Sequence, residues 1–356
     1  MKITLKIGAV STDERTAIAE IDAQQLACVY LNVSFPEERN RSRLYIHRPA
    51  KPDRQSKDRF KIPIKEHIAA MRAKPEGTGG IPSPTRPTLH HTRRGTEIFG
   101  TVPAMLAVPI SDLVANLLRP CFHRDRLGNY RLFYLQNEPI DKKQNYWCVC
   151  SFGDAKNYRG LQLREVRFDA NKDTVFDNRT DRDLLNEESL TWAAALVPLV
   201  IDGRPLSAVE IAQNNYDLRQ IFGLDDSYET TINYIYDGWF DEWNSRVEEK
   251  VLQHENSGRP FATFYHSILA LDEHNNVNIW QIEGTLPELA KKLVKKGMVN
   301  AGLLDSGGSC AMYDVWMGTY LNHGWYYRES RGSILVFELK SHERYPMDAE
   351  DVWTHH

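Results

Sequence analysis

The run from His266 to Ser309 constrains the fold of this 356-residue chain more than any other stretch, because it joins strand and helix periodicities without a gap. His266 to Asp272 reads as a strand, Asn275-Asn276 as a turn, and Val277 to Ile282 as the return strand of a hairpin. The apolar positions then switch to helical spacing at Leu286, Leu289 and Leu293, which predicts a helix over Leu286 to Lys296. Lysines gather in its last turn and Gly297 follows. Val299 to Leu304 resumes an apolar strand and runs into Asp305-Ser306-Gly307-Gly308-Ser309, and Ser333 to Leu339 adds a last strand. The fold class expected is α+β, a mixed or antiparallel sheet with flanking helices.

Upstream the signals are shorter. Leu26 to Val33 and Leu44 to His47 read as strands, and Ile64, Ile68 and Met71 mark an amphipathic helix within Lys61 to Ala73. Lys74 to Pro87 is too rich in Pro and Gly to continue either element, so it reads as a linker or long loop. Ile110 to Leu118 reads as a helix started by Ser111 and Asp112. Tyr130 to Leu135, Tyr146 to Phe152 and Leu161 to Phe168 read as antiparallel strands, and Asp169 to Asn186 as irregular chain. Leu190 to Ile201 is an apolar stretch ending at an Asp202-Gly203 turn. Asp241 to Gln253 is an amphipathic helix after the aromatic group Tyr234, Tyr236, Trp239, Phe240 and Trp243. The division expected is an N-terminal basic region over 1–94, with its linker at 74–94, and one α+β domain over 95–356.

Charge is distributed unevenly. The net charge is −4, yet Arg39 to Arg94 holds fifteen Lys or Arg against four acids, a local +11 that leaves −15 for the rest of the chain. Such asymmetry suits contact with nucleic acid or another polyanion, contact with the acidic remainder, or a solvated arm. The first residues alternate in polarity as a strand does and lack the continuous apolar core of a signal peptide. No run approaches the roughly 18 apolar residues that span a bilayer. Five cysteines, odd in number and irregularly spaced, do not form a secreted disulfide framework, and Cys148 and Cys150 share one face of a strand. The location expected is cytoplasmic, without a membrane contact.

The chemistry concentrates at Asp305. An acid at the carboxyl end of a buried strand, followed by glycines, projects a carboxylate where a ligand can approach the backbone closely. Successive N–H groups in such a turn form an anion-binding nest, and Arg328 and Arg331 add cations able to bind phosphate through two hydrogen bonds. The same pattern also serves as a tight strand exit with a capping Asp. Elsewhere, His90-His91 lacks partners at metal spacing; no cofactor is expected, and whether the protein uses a metal is left open. Cys310 reads as packing, and the aromatic group at 234–243 as core or as a stacking platform. P-loop, G-x-S-x-G and H-E-x-x-H motifs are absent from the sequence.

From Phe261 to Leu339 the chain resembles the phosphodiester glycosidase domain family, of uncovering-enzyme type. Leu289-Ala290, Gly297, Ala301, Leu304, Asp305, Gly307, Gly308 and Ser309 fall on its pattern of helix, strand and "LDGGGS" turn, with Arg328 before the closing strand. A weaker likeness reaches back to about residue 190 through "ALVPLVIDGRPL", Ala195 to Leu206, so that 190–340 bears the motifs. Ser306 stands where the family has its first Gly, and His266-Ser267 where it has Arg-Thr. Its Asn-Gly-Gly-Phe-Phe motif has no clear counterpart; Arg119 to Phe122 lies near the expected position.

The resemblance implies hydrolysis of a sugar-1-phosphodiester, or a nucleotide-sugar-like relative, between sugar and phosphate. Asp305 would act as base or nucleophile, with His266 as a cation replacing the Arg or as a proton carrier. Arg328 and the Ser306, Gly307, Gly308, Ser309 loop, with Arg331, would hold phosphate. The alternative it leaves open is a binding protein for a phosphorylated sugar, nucleotide or nucleic acid that keeps the fold without turnover.

Overall fold

The computed structural model describes residues 6–10, 14–33, 62–73, 81, 88–92, 95–99, 105–110, 121–124, 130–133, 145–154, 156–169, 172, 174–215, 240–315, 318–323 and 330–340. Every strand pairing among them is antiparallel. The result is a strand-rich α+β protein.

A seven-stranded sheet runs in the spatial order Lys6–Val10, Glu14–Ile21 (β1), Val277–Gly284 (β3), Phe264–Asp272 (β2), Met298–Ser306 (β4), Val197–Ile201 and Arg204–Pro205. A five-stranded sheet contains Leu26–Val33, Met105–Ile110, Ala311–Asp314, Thr319–His323 (β5) and Ser333–Leu339. A six-stranded sheet is built from Cys121–Arg124, Tyr130–Phe133, Asn145–Phe152, Gly160–Asp169, Thr174–Asp177 and Leu190–Ala195. One face of each of these sheets contributes to a common core: Leu269, Ile279 and Leu304 from the first, Leu31, Val108 and Phe337 from the second, Trp147, Leu163 and Trp192 from the third. Residues 6–33, assigned by sequence to the N-terminal region, supply strands to two of these sheets. Leu31 lies opposite Leu335, and Ala19 opposite Ile279.

Helices cover two of the outer faces. Ile64–Arg72 (α1) buries Ile64, Ile68 and Met71 against the five-stranded sheet. Ala208–Asn214 (α2), Phe240–Asn256 (α3) and Leu286–Lys295 (α4) pack on the far face of the seven-stranded sheet through residues such as Ile211, Val251, Leu289 and Leu293. Local chemistry explains their ends. Ser207 and Glu210 cap α2 reciprocally. Pro287 sits in the first turn of α4, and Gly297, at φ +83°, ends it in the left-handed conformation that glycine adopts without strain. Asn275, at φ 60°, turns the β2–β3 hairpin, and the Asp272 carboxylate accepts the N–H groups of His274 and Asn276.

Two local expectations change. Asp169 to Asn186 is not wholly irregular: Thr174–Asp177 pairs with Gly160–Asp169, and Asp177 and Asp183 each accept backbone N–H groups of the following turn. Ile110 ends a buried strand between Ser333–Leu339 and Ala311–Asp314: its six residues all pair with the first, and Leu106 and Ala107 also pair with the second. The rest of the helix expected there, the strand expected at Leu44 to His47 and most of the basic stretch lie outside the described residues.

Candidate functional site

Asp305 is the next-to-last residue of β4 and is 5% exposed. The strand does not run flat into its turn. Ile268 of β2 pairs with Leu303 while Ser267 pairs with Asp305, so Leu304 is the extra residue of a bulge. The bulge lets Leu304 and Asp305 both turn toward the inter-sheet core. Beyond it, Gly307 takes φ +75° and Gly307–Ser309 closes a single 3-10 turn. That turn folds back on the acid: the Ser306 N–H and the Ser309 hydroxyl both donate to Asp305 Oδ1 at 2.8 Å. Cys310 follows, buried, with its Sγ 3.5 Å from the Tyr265 carbonyl oxygen, which suits packing rather than nucleophilic chemistry.

Antiparallel register then assigns the neighbours. Asp305 lies opposite Ser267, Ser267 opposite Gln281, and Gln281 opposite Ala17, one row across β4, β2, β3 and β1. Two-residue alternation from Leu269 and Ile279 puts this row on the core face of the sheet. Ser267 and Gln281 are fully buried there, and neither Ser267 Oγ nor Gln281 Nε2 has a hydrogen-bond partner. From the five-stranded sheet, Asn322 on β5 donates its amide to Gln281 Oε1 at 2.9 Å and also hydrogen-bonds the Tyr265 hydroxyl. The row is thus a polar strip let into an otherwise apolar interior. Gln281, Asn322 and Tyr265 escaped the sequence reading. Gln281 had a signal, since it continues the inward parity of Val277 and Ile279 with an amide.

His266 does not share this face. It pairs with Ser306 and alternates with Ile268 and Ala270, which belong to the helix-covered core. Its Nδ1 lies 2.7 Å from Ser306 Oγ, and the buried Nε2 has no hydrogen-bond partner. Burial pushes the ring down to about 3, with the Gly284 carbonyl working in the opposite direction. The ring is therefore neutral at physiological pH. Burial thus removes the expected cation at 266, and the period-two geometry of β2 places His266 on the face of the sheet opposite Asp305. Arg328 lies outside the described residues. Arg331 belongs to the two-residue strand Ser330–Arg331, which pairs with Ile62–Pro63 in a sheet of its own.

Other sequence candidates are not drawn together here. His90 and His91 lie on the hairpin strand Thr88–Thr92, and the aromatic positions 234–239 lie outside the described residues. Cys148 and Cys150 do share one buried face. Among the described residues no group of three His, Cys, Asp or Glu could hold a metal ion, and no helix is long and apolar enough to cross a membrane.

No family model matches the chain, and no curated protein is significantly similar to it. Solved structures give weak fold-level similarity. A hypothetical protein from Synechocystis is 10% identical with TM-score 0.34, over 91% of this chain and 59% of its own, so this chain spans under two thirds of that protein. The catalytic domain of zebrafish N-acetylglucosamine-1-phosphodiester α-N-acetylglucosaminidase, auto-inhibited by its pro-peptide, is 12% identical with TM-score 0.33, over 77% of this chain and 94% of its own. A protein from Burkholderia pseudomallei, described as exported, is 13% identical with TM-score 0.36, over 90% of this chain and 73% of its own.

Proposed function

We propose that this protein is a hydrolase of the phosphodiester glycosidase type, cleaving a sugar-1-phosphodiester or a nucleotide-sugar-like substrate. The observation that carries the proposal is the setting of Asp305, a nearly buried carboxylate at a strand end. It is oriented by a hydroxyl and an N–H of its own glycine turn, within a polar row that interrupts an apolar core. The sequence pattern around it, from Leu289 to Ser309, supports the same reaction.

In this reaction Asp305 acts as base toward water or as nucleophile toward the anomeric carbon. The phosphomonoester leaves without strong acid assistance, because it is a good leaving group. Gly307, Gly308 and Ser309 offer backbone N–H groups to the phosphate, and Arg328 is assigned its charge. Gly307 has nothing within 4 Å of where a Cβ would stand, which suits a backbone that a ligand approaches.

Asp305→Asn tests this directly. It preserves shape and local hydrogen bonding but can neither accept a proton nor attack carbon. Hydrolysis of a coupled sugar-1-phosphodiester should fall on the order of 10²-fold or more, as for loss of a positioned base, with substrate binding little changed. A second proposal rests on the neutral, buried His266, which removes a cation from the position where the family has Arg. It is a binding protein for a phosphorylated sugar, nucleotide or nucleic acid, the last through the basic 39–94 stretch. Wild-type protein that binds a panel of such diesters without turnover would establish the second and dismiss the first.

A further inference from the structure

The core-facing row of β3 changes character toward its end. Val277 and Ile279 are apolar and buried, Gln281 is buried, and the next residue of the same parity, Glu283, is half-buried. No register shift interrupts the β2–β3 pairing, so the parity holds as far as Glu283, which lies opposite Tyr265. Gly284 gives the facing a second time: a Cβ there would meet Leu289 of α4 at 3.0 Å, on the helix-covered side, so Glu283 points to the other side. An acid therefore stands where this row of the inter-sheet core meets solvent. It makes no hydrogen bond and no ion pair with any described residue.

Register places this acid relative to Asp305. Asp305 lies opposite Ser267 and Ser267 opposite Gln281, so Glu283 is two strands across and one two-residue step along, in the direction of the glycine turn. Neighbouring antiparallel strands lie roughly 5 Å apart and two residues advance about 7 Å, which sets the Cα atoms of Asp305 and Glu283 about 12 Å apart. Two side chains and one small ligand span that separation. Ser306 lies opposite His266, so Gly307 and Glu283 flank Tyr265 at one level, roughly 10 Å from each other. A carboxylate accepts hydrogen bonds and donates none, and a phosphodiester likewise offers only acceptors and negative charge. The two repel, whereas sugar hydroxyls donate. We infer that Glu283 is a specificity-determining residue that accepts hydrogen bonds from the sugar's hydroxyls, and so sets the substrate's direction: sugar toward Glu283, phosphate toward the glycine turn. The inference rests on the proposed hydrolytic reading for its ligand, and on register and parity for its geometry.

The test titrates the full chain, by NMR, with methyl α-glucoside, methyl N-acetyl-α-glucosaminide and methyl phosphate. Glu283→Ala should weaken the glycoside that binds by about tenfold or more, the worth of a hydrogen bond to a charged group, and leave methyl phosphate no weaker. Because Glu283 is half-exposed and unpaired among the described residues, the variant should melt where wild type does. At low salt Glu283→Lys should tighten methyl phosphate by about threefold, as reversing a charge roughly 10 Å away in water does. Glycoside binding absent in the wild type or unaltered in Glu283→Ala, or methyl phosphate that weakens in Glu283→Lys, would overturn the assignment. Turnover of a sugar-1-phosphodiester with unchanged KM in Glu283→Ala would overturn it while leaving the hydrolase standing. Glycoside binding that falls in Glu283→Ala without wild-type turnover would support the assignment and remove the hydrolase.

Discussion

Replacing His266 by glutamine keeps a neutral polar side chain beside Ser306 but removes a ring that can titrate. In the folded protein burial holds that ring down to about 3, against an ordinary value of 6.5. An unfolded chain takes up the proton as pH falls below 6.5, whereas the folded chain refuses it until near 3. The folded-state pKa is depressed, so the associated stability is complete above 6.5 and is lost progressively as pH drops toward 3. Integrating that linkage from pH 7.5 to pH 5.0 gives a loss of about 2 kcal/mol attributable to His266. The carboxylates held low in the folded state, Asp177, Asp183 and Glu210, lose their contributions only nearer their unfolded values of 3.8 and 4.5, below this window. Glu338, raised by burial, works in the opposite sense but is common to both proteins.

The assay is urea unfolding of wild type and His266→Gln at both pH values. The glutamine variant will differ from wild type at pH 7.5 through packing alone, so only the change in that difference with pH counts. Wild type should lose about 2 kcal/mol more than the variant on acidification. Equal losses would mean that the ring exchanges protons as freely folded as unfolded, and that His266 is not sealed between β2 and the helices.

Ser309→Ala removes a hydroxyl donor from a carboxylate that is nearly buried. It should cost about 1.5–3 kcal/mol in urea unfolding, as for a hydrogen bond to a charged group, and lower turnover as well. Gly302→Ala places a Cβ 2.9 Å from Leu196 Cδ1 and 3.2 Å from Leu196 Cβ inside the core. Overpacking should cost about 1–3 kcal/mol, and an unchanged melting temperature would show that β4 and Leu196 are not in contact.

How much of this was legible in advance depended on how locally each feature is specified. Leu26 to Val33 and Ser333 to Leu339 carry runs of apolar and β-branched residues, and both strands appear at those bounds, paired with each other. The hairpin, α4 and β4 were equally clear because turn chemistry and periodicity agree along that segment. Thr174–Asp177 was not, since four residues in polar surroundings give too short a pattern to stand out. The facing of the site was illegible for a different reason. Which side Asp305 takes depends on the extra residue Leu304, and the only clue to that bulge is the register against Ser267 and Ile268. Asn322 reaches Gln281 from another sheet, a contact that no spacing within either strand encodes.

That facing bears on two of the departures from the family pattern. Ser306 in place of Gly and His266 in place of Arg do not act separately, because their side chains lie 2.7 Å apart on the helix-covered side of the sheet. Each supplies the other with a hydrogen-bonding partner where an isolated polar group would be costly. Asp305, Ser267 and Gln281 occupy the opposite side, and Ser306 contributes its backbone N–H, not its side chain, to Asp305. The exchange of one polar pair for another on the helix side therefore removes no contact from the Asp305 row. Were His266 and Ser306 part of the reaction, His266→Gln would slow turnover as severely as Asp305→Asn. Were they a hydrogen-bonded structural pair, His266→Gln would move the acid stability described above and leave kcat within a few-fold of wild type, and this geometry selects the second outcome.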